Sequence, residues 1–334
     1  MNKGKNVGFR IMLIMNIILL LSLIIVIFSF YEYKKTNVQA VVETNTQVIS
    51  ETPVKETIDV ETFEQVAKDF NVSTEFLQRF YDDKIVYKGK DGVAFSPINP
   101  NLPKHTYNLN DLVSANGRIE YQQNGVKVGK VGIDVSKHQK KIDWKKVKAD
   151  GVDFAIIRLG FRGYDSGKIV IDEYFEENMK QAIAAGLDVG VYFYSQAITK
   201  EEALEEANVV LEQVKKFKIT YPVVFDTEQV EAPTGRANLI STELRTDITI
   251  EFCEAIKKAG YYPMIYANTR WLVAELDMTR LTQYDKWFAQ YYKNVFFPYE
   301  FQMWQYTGKG KVDGVSGDVD LNVSFVDYAS KLAK

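Results

Sequence analysis

Two carboxylates stand two positions apart at the end of a short apolar run. The run Val223 to Phe225 leads directly into Asp226, Thr227 and Glu228. Side chains at positions i and i+2 of a strand point to the same side, so both acids are expected to project together. A carboxylate pair can cleave a glycosidic bond, because one protonates the leaving oxygen and the other supports the positive transition state. Crowding raises the pKa of one of the two, which keeps it protonated near neutral pH.

The pair has two other interpretations. An Asp-x-Glu sequence at a strand end can cap a loop or pair with a cation such as Arg158. The same oxygens suit Ca²⁺ or Mg²⁺. We predict no metal site and no cofactor; with His105 and His138 as the only histidines, carboxylates must carry any proton transfer. The single cysteine, Cys253, lies in a helical pattern and is expected to be buried rather than nucleophilic.

Short apolar runs alternate with amphipathic segments from residue 131 onward. Eight runs are predicted to be strands: 131–135, 154–159, 187–194, 223–225, 262–266, 286–290, 301–305 and 319–321. Helices are predicted over 144–149, 174–185, 200–217 and 242–259. This alternation predicts an α/β fold, an irregular TIM-like barrel of the parallel type with about eight strands and five or so helices over 131–334. A doubly wound open sheet is the alternative, although no glycine-rich phosphate loop follows the first strand.

Polar and aromatic side chains follow the ends of these runs. Barrel enzymes place their chemistry at the carboxyl ends of the strands, so these side chains are expected to meet around one mouth. The carboxylates expected there are Asp134, Asp226, Glu228 and Asp320. The candidates for substrate binding are Arg158, Tyr192, Tyr194, Tyr266, Asn268, Gln290, Trp304 and Gln305. Glu228 has the longer side chain and lies further toward the loop, so we expect it to be the acid, with Asp226 and Asp134 handling the charge at the sugar.

The N-terminal segment 11–30 is an almost unbroken apolar run. Twenty helical residues span roughly 30 Å, about one bilayer hydrocarbon core. Lys3, Lys5 and Arg10 precede the run, which favours a cytoplasmic 1–10 and an extracellular remainder. We therefore predict a single-pass signal anchor in a bacterial cell membrane. A cleaved signal peptide is the competing interpretation, and it too exports the remainder.

Residues 31–56 are polar and without periodicity, which is typical of a stalk. Residues 57–130 are predicted to form a small lead-in module, with helical spacing of apolar residues over 60–70 and a second short helix over 74–81. No chemistry is assigned to this module, for which the sequence leaves two interpretations: a packing extension of the next domain or a spacer. The formal net charge of −3 reveals no basic domain, so nucleic acid is not an expected partner.

Seven segments together resemble glycoside hydrolase family 25, the Chalaropsis-type lysozymes or N-acetylmuramidases. In order, they are Gly132-Ile133-Asp134-Val135-Ser136, Gln139 with Ile142-Asp143-Trp144, Gly151-Val152-Asp153-Phe154-Ala155-Ile156-Ile157-Arg158, Gly190-Val191-Tyr192-Phe193-Tyr194, Phe225-Asp226-Thr227-Glu228, Trp304-Gln305-Tyr306 and Val319-Asp320-Leu321-Asn322. The resemblance implies an irregular (β/α) barrel that hydrolyses the β-1,4 bond between N-acetylmuramic acid and N-acetylglucosamine. It also implies that Glu228 is the acid and Asp226 its charge-stabilising partner, with Asp134 and Asp320 as the first-strand and last-strand aspartates.

The sequence therefore favours a membrane-anchored cell-wall lysozyme that acts on peptidoglycan; no protein partner is assigned. One alternative is a non-catalytic glycan-binding module on a barrel that has lost activity, against which Asp134, Asp226 and Glu228 argue. Another is a glycosidase of a different exported polysaccharide.

Overall fold

The computed structural model of the chain describes Ser29 and residues 60–115, 117–232 and 234–333. The predicted stalk and, apart from Ser29, the predicted anchor lie outside these residues. Among the described residues, no helix has the length and apolar character needed to cross a bilayer. The chain divides into two compact units, Met1–Phe95 and Ser96–Lys334.

The described part of the first unit combines two helices with a hairpin. Its elements are α1 (Val60–Asp69), α2 (Thr74–Gln78), β1 (Lys84–Gly89) and β2 (Gly92–Pro97). Phe63 and Ala67, one helical turn apart, share a buried cluster with Val86 and Val93 of the hairpin. The Gln78 amide donates to the backbone oxygens of Tyr81 and Lys84 and so fixes the connection between α2 and β1. Both helices lie where the apolar spacing predicts them.

The second unit begins with a small sheet of three strands. They are β3 (Leu112–Ala115), β4 (Arg118–Gln123) and β5 (Val126–Lys127). Aromatic side chains from this segment pack on later parts of the unit; Tyr107 stacks on Phe325 at 4.3 Å between ring centroids, and Tyr121 lies 4.8 Å from the same ring. The division between the two units therefore falls inside the predicted 57–130 module, because residues 96–130 pack with the barrel.

A closed barrel of eight strands forms the rest of this unit. Its strands are β6 (Lys130–Val135), β7 (Phe154–Arg162), β9 (Asp188–Tyr194), β10 (Val223–Asp226), β11 (Pro263–Asn268), β12 (Asp285–Ala289), β13 (Met303–Gly310) and β14 (Val319–Ser324), and β8 (Ile169–Ile171) extends the edge of β7. Pairing of β6 with β7 closes the ring. The eight strands lie at the predicted places, which confirms the α/β barrel.

The last strand departs from the predicted parallel type. β14 runs antiparallel to both of its neighbours, β13 and β6, whereas the other neighbouring strands of the ring are parallel. Residues 311–318 join β13 to β14, and such a short connection forms a hairpin instead of the helical crossover that a parallel pair needs. The parallel prediction was therefore wrong for this strand.

The helices are few, and local signals explain where they begin and end. They are α3 (Trp144–Ala149), α4 (Phe175–Ala184), α5 (Lys200–Val214), α6 (Thr242–Lys258) and α7 (Tyr328–Leu332), with a π-helical turn at Trp271–Glu275. The side chains of Asp143, Thr199 and Ser241 accept backbone hydrogen bonds at the starts of α3, α5 and α6. Gly186 and Gly260, both at positive φ, follow the ends of α4 and α6.

Large side chains fill the barrel interior. Phe154, Val224, Met264 and Trp287 belong to one buried cluster. A Cβ atom at position 132 would overlap the Phe154 ring, so Gly132 is required for this packing. Because the interior is solid, polar chemistry is confined to the ends of the strands.

Candidate active site

A pocket of about 340 Å³ lies at one end of the barrel. The four predicted carboxylates all line it, and so do four of the eight predicted substrate-binding residues: Arg158, Tyr192, Tyr266 and Gln305. Its remaining lining residues are Val135, Ser136, His138, Gln139, Trp287 and Tyr291. Acids far apart in the sequence thus meet in one cavity at the carboxyl ends of the parallel strands.

The other four predicted binding residues, Tyr194, Asn268, Gln290 and Trp304, do not line this pocket. The Asn268 side-chain oxygen accepts a hydrogen bond from the Trp271 backbone at 3.0 Å. The Gln290 side chain binds the backbone of Phe296 at both its nitrogen and its oxygen, and the Trp304 indole donates to the Gln290 backbone oxygen at 2.9 Å. Tyr194 lies beside Asp226 in the strand register. These contacts shape the walls around the pocket, and a direct role in binding stays a prediction.

Asp134 is held by two amide groups. Gln305 Nε2 and Asn322 Nδ2 donate to its Oδ2 atom at 2.9 and 2.8 Å. Burial raises the pKa of Asp134 and the nearby Asp320 raises it further, whereas these two donors lower it. Both hydrogen bonds are strongest to the ionised carboxylate, so they oppose the cost of burying its charge.

Each amide is oriented by a further donor. The Trp287 indole donates to the Asn322 side-chain oxygen at 2.8 Å, and Asn322 is fully buried. The hydroxyls of Tyr266 and Tyr291 both donate to Gln305 Oε1 at 2.8 Å. An amide whose oxygen is already occupied presents its NH₂ group to the carboxylate, so the aromatic residues fix the hydrogen bonds to Asp134.

Asn322 and Tyr291 are absent from the binding set inferred from the sequence. Asn322 lies in the Val319-Asp320-Leu321-Asn322 motif, and its spacing from Asp320 places it on the same side of β14. That spacing could have identified it. Tyr291 lies just past β12, in a loop with no periodic pattern, so the rule that selects strand ends does not reach it.

Asp226 ends β10, and Glu228 follows two residues later. Between them Thr227 points away from the pocket: its hydroxyl accepts a hydrogen bond from the Trp271 indole at 3.1 Å, and its backbone nitrogen donates to the Tyr266 oxygen at 3.2 Å. These contacts continue the strand alternation beyond the last paired residue, which turns both acids toward the cavity.

The two acids differ in their surroundings. Burial raises the pKa of Glu228 to about 7, with a further contribution from Asp320. Burial also raises the pKa of Asp226, as do Glu228 and Asp134, but the positive charge of Arg158 lowers it. Asp226 Oδ1 is buried without a hydrogen-bond partner among the described residues. The site therefore contains one acid that faces a cation and another that does not.

Positive charge in the pocket is scarce. Arg158 pairs with the buried Asp172, whose Oδ2 lies 2.8 Å from its Nε atom. Burial and Arg158 both lower the pKa of His138, so this imidazole is mainly neutral at pH 7. Among the described lining residues, four acids thus face one arginine that is already paired. Like charges at close range cannot all ionise, which favours retention of a proton in the pocket near neutral pH.

Within the described ranges, no group of three or more His, Cys, Asp or Glu side chains is arranged to hold a metal ion. Cys253 is buried in α6, and burial raises the pKa of its thiol. It lies outside the residues that line the pocket.

Comparison with known proteins identifies the family. Residues 133–315, more than half of the chain, match the family model for glycosyl hydrolases family 25. The chain belongs to glycosyl hydrolase family 25. It is therefore a glycoside hydrolase of the lysozyme class, which confirms the resemblance found in the sequence.

Relatives of this family 25 enzyme include both characterised and uncharacterised proteins. An uncharacterised Escherichia coli protein, YegX, is 30% identical over 196 residues, which cover 58% of this chain and 68% of that protein. Lysozyme M1 of Streptomyces globisporus is 27% identical over 212 residues, covering 58% of this chain and 67% of the lysozyme.

Solved structures share the fold of the family 25 barrel. The modular autolysin LytC of Streptococcus pneumoniae is 25% identical with a TM-score of 0.53, covering 73% of this chain but only 57% of LytC. A bacterial lysozyme from Streptomyces coelicolor is 25% identical with a TM-score of 0.52, covering 61% of this chain and 96% of that lysozyme.

Proposed function

We propose that this family 25 enzyme is a cell-wall muramidase that hydrolyses the β-1,4 bond between N-acetylmuramic acid and N-acetylglucosamine in peptidoglycan. The observation that carries the proposal is the pocket of four carboxylates, in which one acid has a pKa near 7. Similarity to lysozyme M1, and to LytC, whose structure is also known with a synthetic peptidoglycan ligand, supports this substrate.

Glu228 is the general acid of the proposed reaction. It must hold a proton until the glycosidic oxygen leaves, and a pKa of about 7 leaves much of it protonated near neutral pH. The pKa values of Asp134 and Asp226 are also raised, chiefly by burial, but two amide donors oppose this rise at Asp134 and Arg158 opposes it at Asp226. Both causes that act on Glu228, burial and Asp320, raise its pKa. We therefore assign the proton to Glu228.

Asp226 is the charge stabiliser. Its ionised form supports the positive charge that develops at the sugar when the leaving oxygen departs. An Oδ1 atom with no partner in the described chain remains available to a substrate group. The amide N–H of the substrate's own N-acetyl group is a suitable donor to this oxygen, because it becomes a stronger donor as charge develops during the reaction.

Asp134 and Asp320 face each other across the β6–β14 pair, where they are partners in the strand register. Asp320 lies near Glu228 and raises its pKa, and burial raises the pKa of Asp320 itself to about 6. We assign to both residues the support of sugar groups and of the charge state of the acid, rather than proton donation.

Residues 11–30 are proposed to anchor the enzyme in the bacterial membrane, with the barrel outside and residues 31–56 as a stalk. Tethering would hold the enzyme at its substrate. Release of the barrel by cleavage in the stalk should then lower wall hydrolysis per molecule on cells. Equal hydrolysis by the released and the anchored forms would contradict the tether.

The test of the proposed function is Glu228→Gln in the full-length chain, assayed on purified peptidoglycan by analysis of the new reducing ends. We expect a loss of cleavage on the order of a hundredfold or more, because general acid catalysis supplies roughly 10²–10⁴. Glu231→Gln is the control, since Glu231 is exposed and does not line the pocket. Muramic acid at the new ends supports the proposal. No ends from the wild type would indicate a binding module, and ends from another polymer alone would indicate a different glycosidase.

The pH dependence gives a second test of the acid. Glu228 must be protonated to act, so kcat/KM should fall as the pH rises through about 7, approaching tenfold per pH unit. The profile is measured on soluble peptidoglycan fragments at constant ionic strength. A flat profile up to pH 9 would contradict the assignment of Glu228.

A further inference from the structure

Six lysines occupy one exposed stretch of twelve residues after the first barrel strand. They are Lys137, Lys140, Lys141, Lys145, Lys146 and Lys148, and all are exposed. None forms an ion pair with a described residue, although many lysines elsewhere do, such as Lys127 with Asp153 and Lys311 with Asp318. We call this stretch, 137–148, the lysine ridge. It carries a formal charge of +5 in a chain whose net charge is −3.

Three acids near the ridge are already engaged. Asp143, the only acid within it, accepts a hydrogen bond from the Lys146 backbone at the start of α3. Asp150 pairs with Arg118, and Asp172 pairs with Arg158. The positive charge of the ridge is thus left facing solvent.

The ridge borders a second cavity, of about 760 Å³. Lys141, Lys145 and Lys146 line it together with the apolar Ile142, and residues 314–316 form another part of its wall. The wall is fixed closely to α3, because the Asp143 backbone donates to the Gly314 oxygen at 2.9 Å. The lysines therefore border a groove whose two walls are joined by a backbone hydrogen bond.

The ridge also adjoins the active site along the chain. His138 and Gln139 line the catalytic pocket, whereas Lys141 lines the second groove. Two residues of backbone span at most about 7 Å, so one wall residue of the groove lies close to one wall residue of the catalytic pocket. A polymer attached to a glycan strand in the catalytic pocket can therefore reach the groove.

We propose that the lysine ridge binds a flexible phosphodiester polymer carried by the wall glycan and so directs the enzyme to polymer-bearing strands. The proposal rests on the proposed function of the catalytic pocket. Repeated phosphates match repeated positive charges, and several weak contacts to one chain combine into useful affinity.

The composition of the ridge favours this partner over others. All six of its cations are lysines, mobile point charges that can follow a flexible chain of phosphates without the fixed bidentate geometry that an arginine fork requires. No large hydrophobic side chain within 137–148 is exposed, and Ile142 and Trp144, which line the groove, are buried, so none projects outward to insert into a membrane surface.

The experiment measures binding of the full-length chain, in detergent, to purified walls before and after hydrofluoric acid removes their phosphodiester polymer. Glu228→Gln serves as the background so that hydrolysis does not alter the walls. The test variant changes Lys140, Lys141, Lys145 and Lys146 to Gln. The control changes Lys215, Lys216, Lys257 and Lys258 to Gln, which removes the same charge from exposed positions elsewhere.

We expect the ridge variant to bind untreated walls at least tenfold more weakly, while the control stays within about twofold. Stripped walls should bind the background protein and the ridge variant equally weakly, and soluble poly(glycerol phosphate) should compete at low salt and less at high salt. Equal loss in the control, unchanged binding of the ridge variant, or undiminished binding to stripped walls would overturn the proposal. Ridge-dependent binding that prefers anionic vesicles or nucleic acid to the polymer would overturn the choice of partner.

Failure of this proposal is distinguishable from failure of the muramidase assignment. With Glu228 intact, the ridge variant should release reducing ends from stripped peptidoglycan at the wild-type rate, because the four substituted lysines lie outside the residues that line the catalytic pocket. Absence of reducing ends in every variant would refute the catalytic assignment and leave the binding measurement interpretable.

Discussion

The two ends of the barrel are built from opposite kinds of side chain. Four carboxylates share the mouth, where burial raises their pKa values. At the other end Phe301, fully buried, lies 5.7 and 5.4 Å from the rings of Tyr107 and Phe325. Burial of aromatic surface stabilises a fold, whereas burial of acids costs stability. We call the end that contains Phe301 the aromatic end. Its packed rings stabilise the fold and so offset the free-energy cost of burying the acids at the mouth.

The largest effect is expected from Asp226→Asn at the mouth. We expect kcat/KM to fall on the order of a hundredfold or more, because a preorganised charge at the reacting centre is lost. The melting temperature should not fall, since the change removes a buried charge with an unpartnered Oδ1. Reducing-end assays and thermal melts measure both quantities, with the exposed Asp165→Asn as the control. A large drop in melting temperature at unchanged activity would show that Asp226 serves stability rather than catalysis.

A substitution at the aromatic end should lower stability and leave activity unchanged. Phe301→Ala is expected to lower the free energy of unfolding by about 3–5 kcal/mol, because it leaves a cavity among packed rings. The catalytic rate per folded molecule should change little. Denaturant unfolding and active-site-normalised rates test this, with Phe70→Ala, an exposed phenylalanine of the first unit, as the control. Loss of activity without loss of stability would show that the aromatic end of the barrel contributes to catalysis.

A smaller effect is expected from Asn322→Leu, which removes one donor from Asp134. The pKa of Asp134 should rise, so the acidic limb of the kcat/KM profile should move to higher pH by about one unit.

Asn178→Leu is the matched control for that substitution, because Asn178 is also a buried amide bound to a tryptophan indole, at 3.2 Å. It should lose stability without a shift of the acidic limb. A shift of equal size in both variants would show that the effect is structural.

Much of the barrel could be predicted from the sequence, because most of its strands begin as short apolar runs that polar residues follow. Helix α3 begins and ends at the predicted residues, since Asp143 caps its start. Asp226 and Glu228 could be identified because the period of a strand fixes which side chains face the same way. The roles of residues that follow from alternation along one segment could therefore be predicted from the sequence.

Features that depend on contacts between residues far apart in the chain could not be predicted from the sequence. The antiparallel course of β14 depends on the hairpin that precedes it, and apolar alternation is the same in either direction. The contact of Tyr291 with Gln305 joins a loop to a strand, and no local pattern marks it. The packing of Tyr107 on Phe325 joins residues more than two hundred positions apart, and no local pattern within 96–130 indicates it.

The antiparallel course of β14 also has a consequence for how the enzyme can vary. Asp320 and Asp134 are partners in the β6–β14 ladder, so their spacing is set by backbone hydrogen bonds. A slip of one residue would turn Asp320 away from the mouth. The hairpin 311–318, in contrast, can gain or lose residues without moving that register. Changes in the length or sequence of this turn can therefore introduce new substrate contacts without altering the spacing of Asp134 and Asp320.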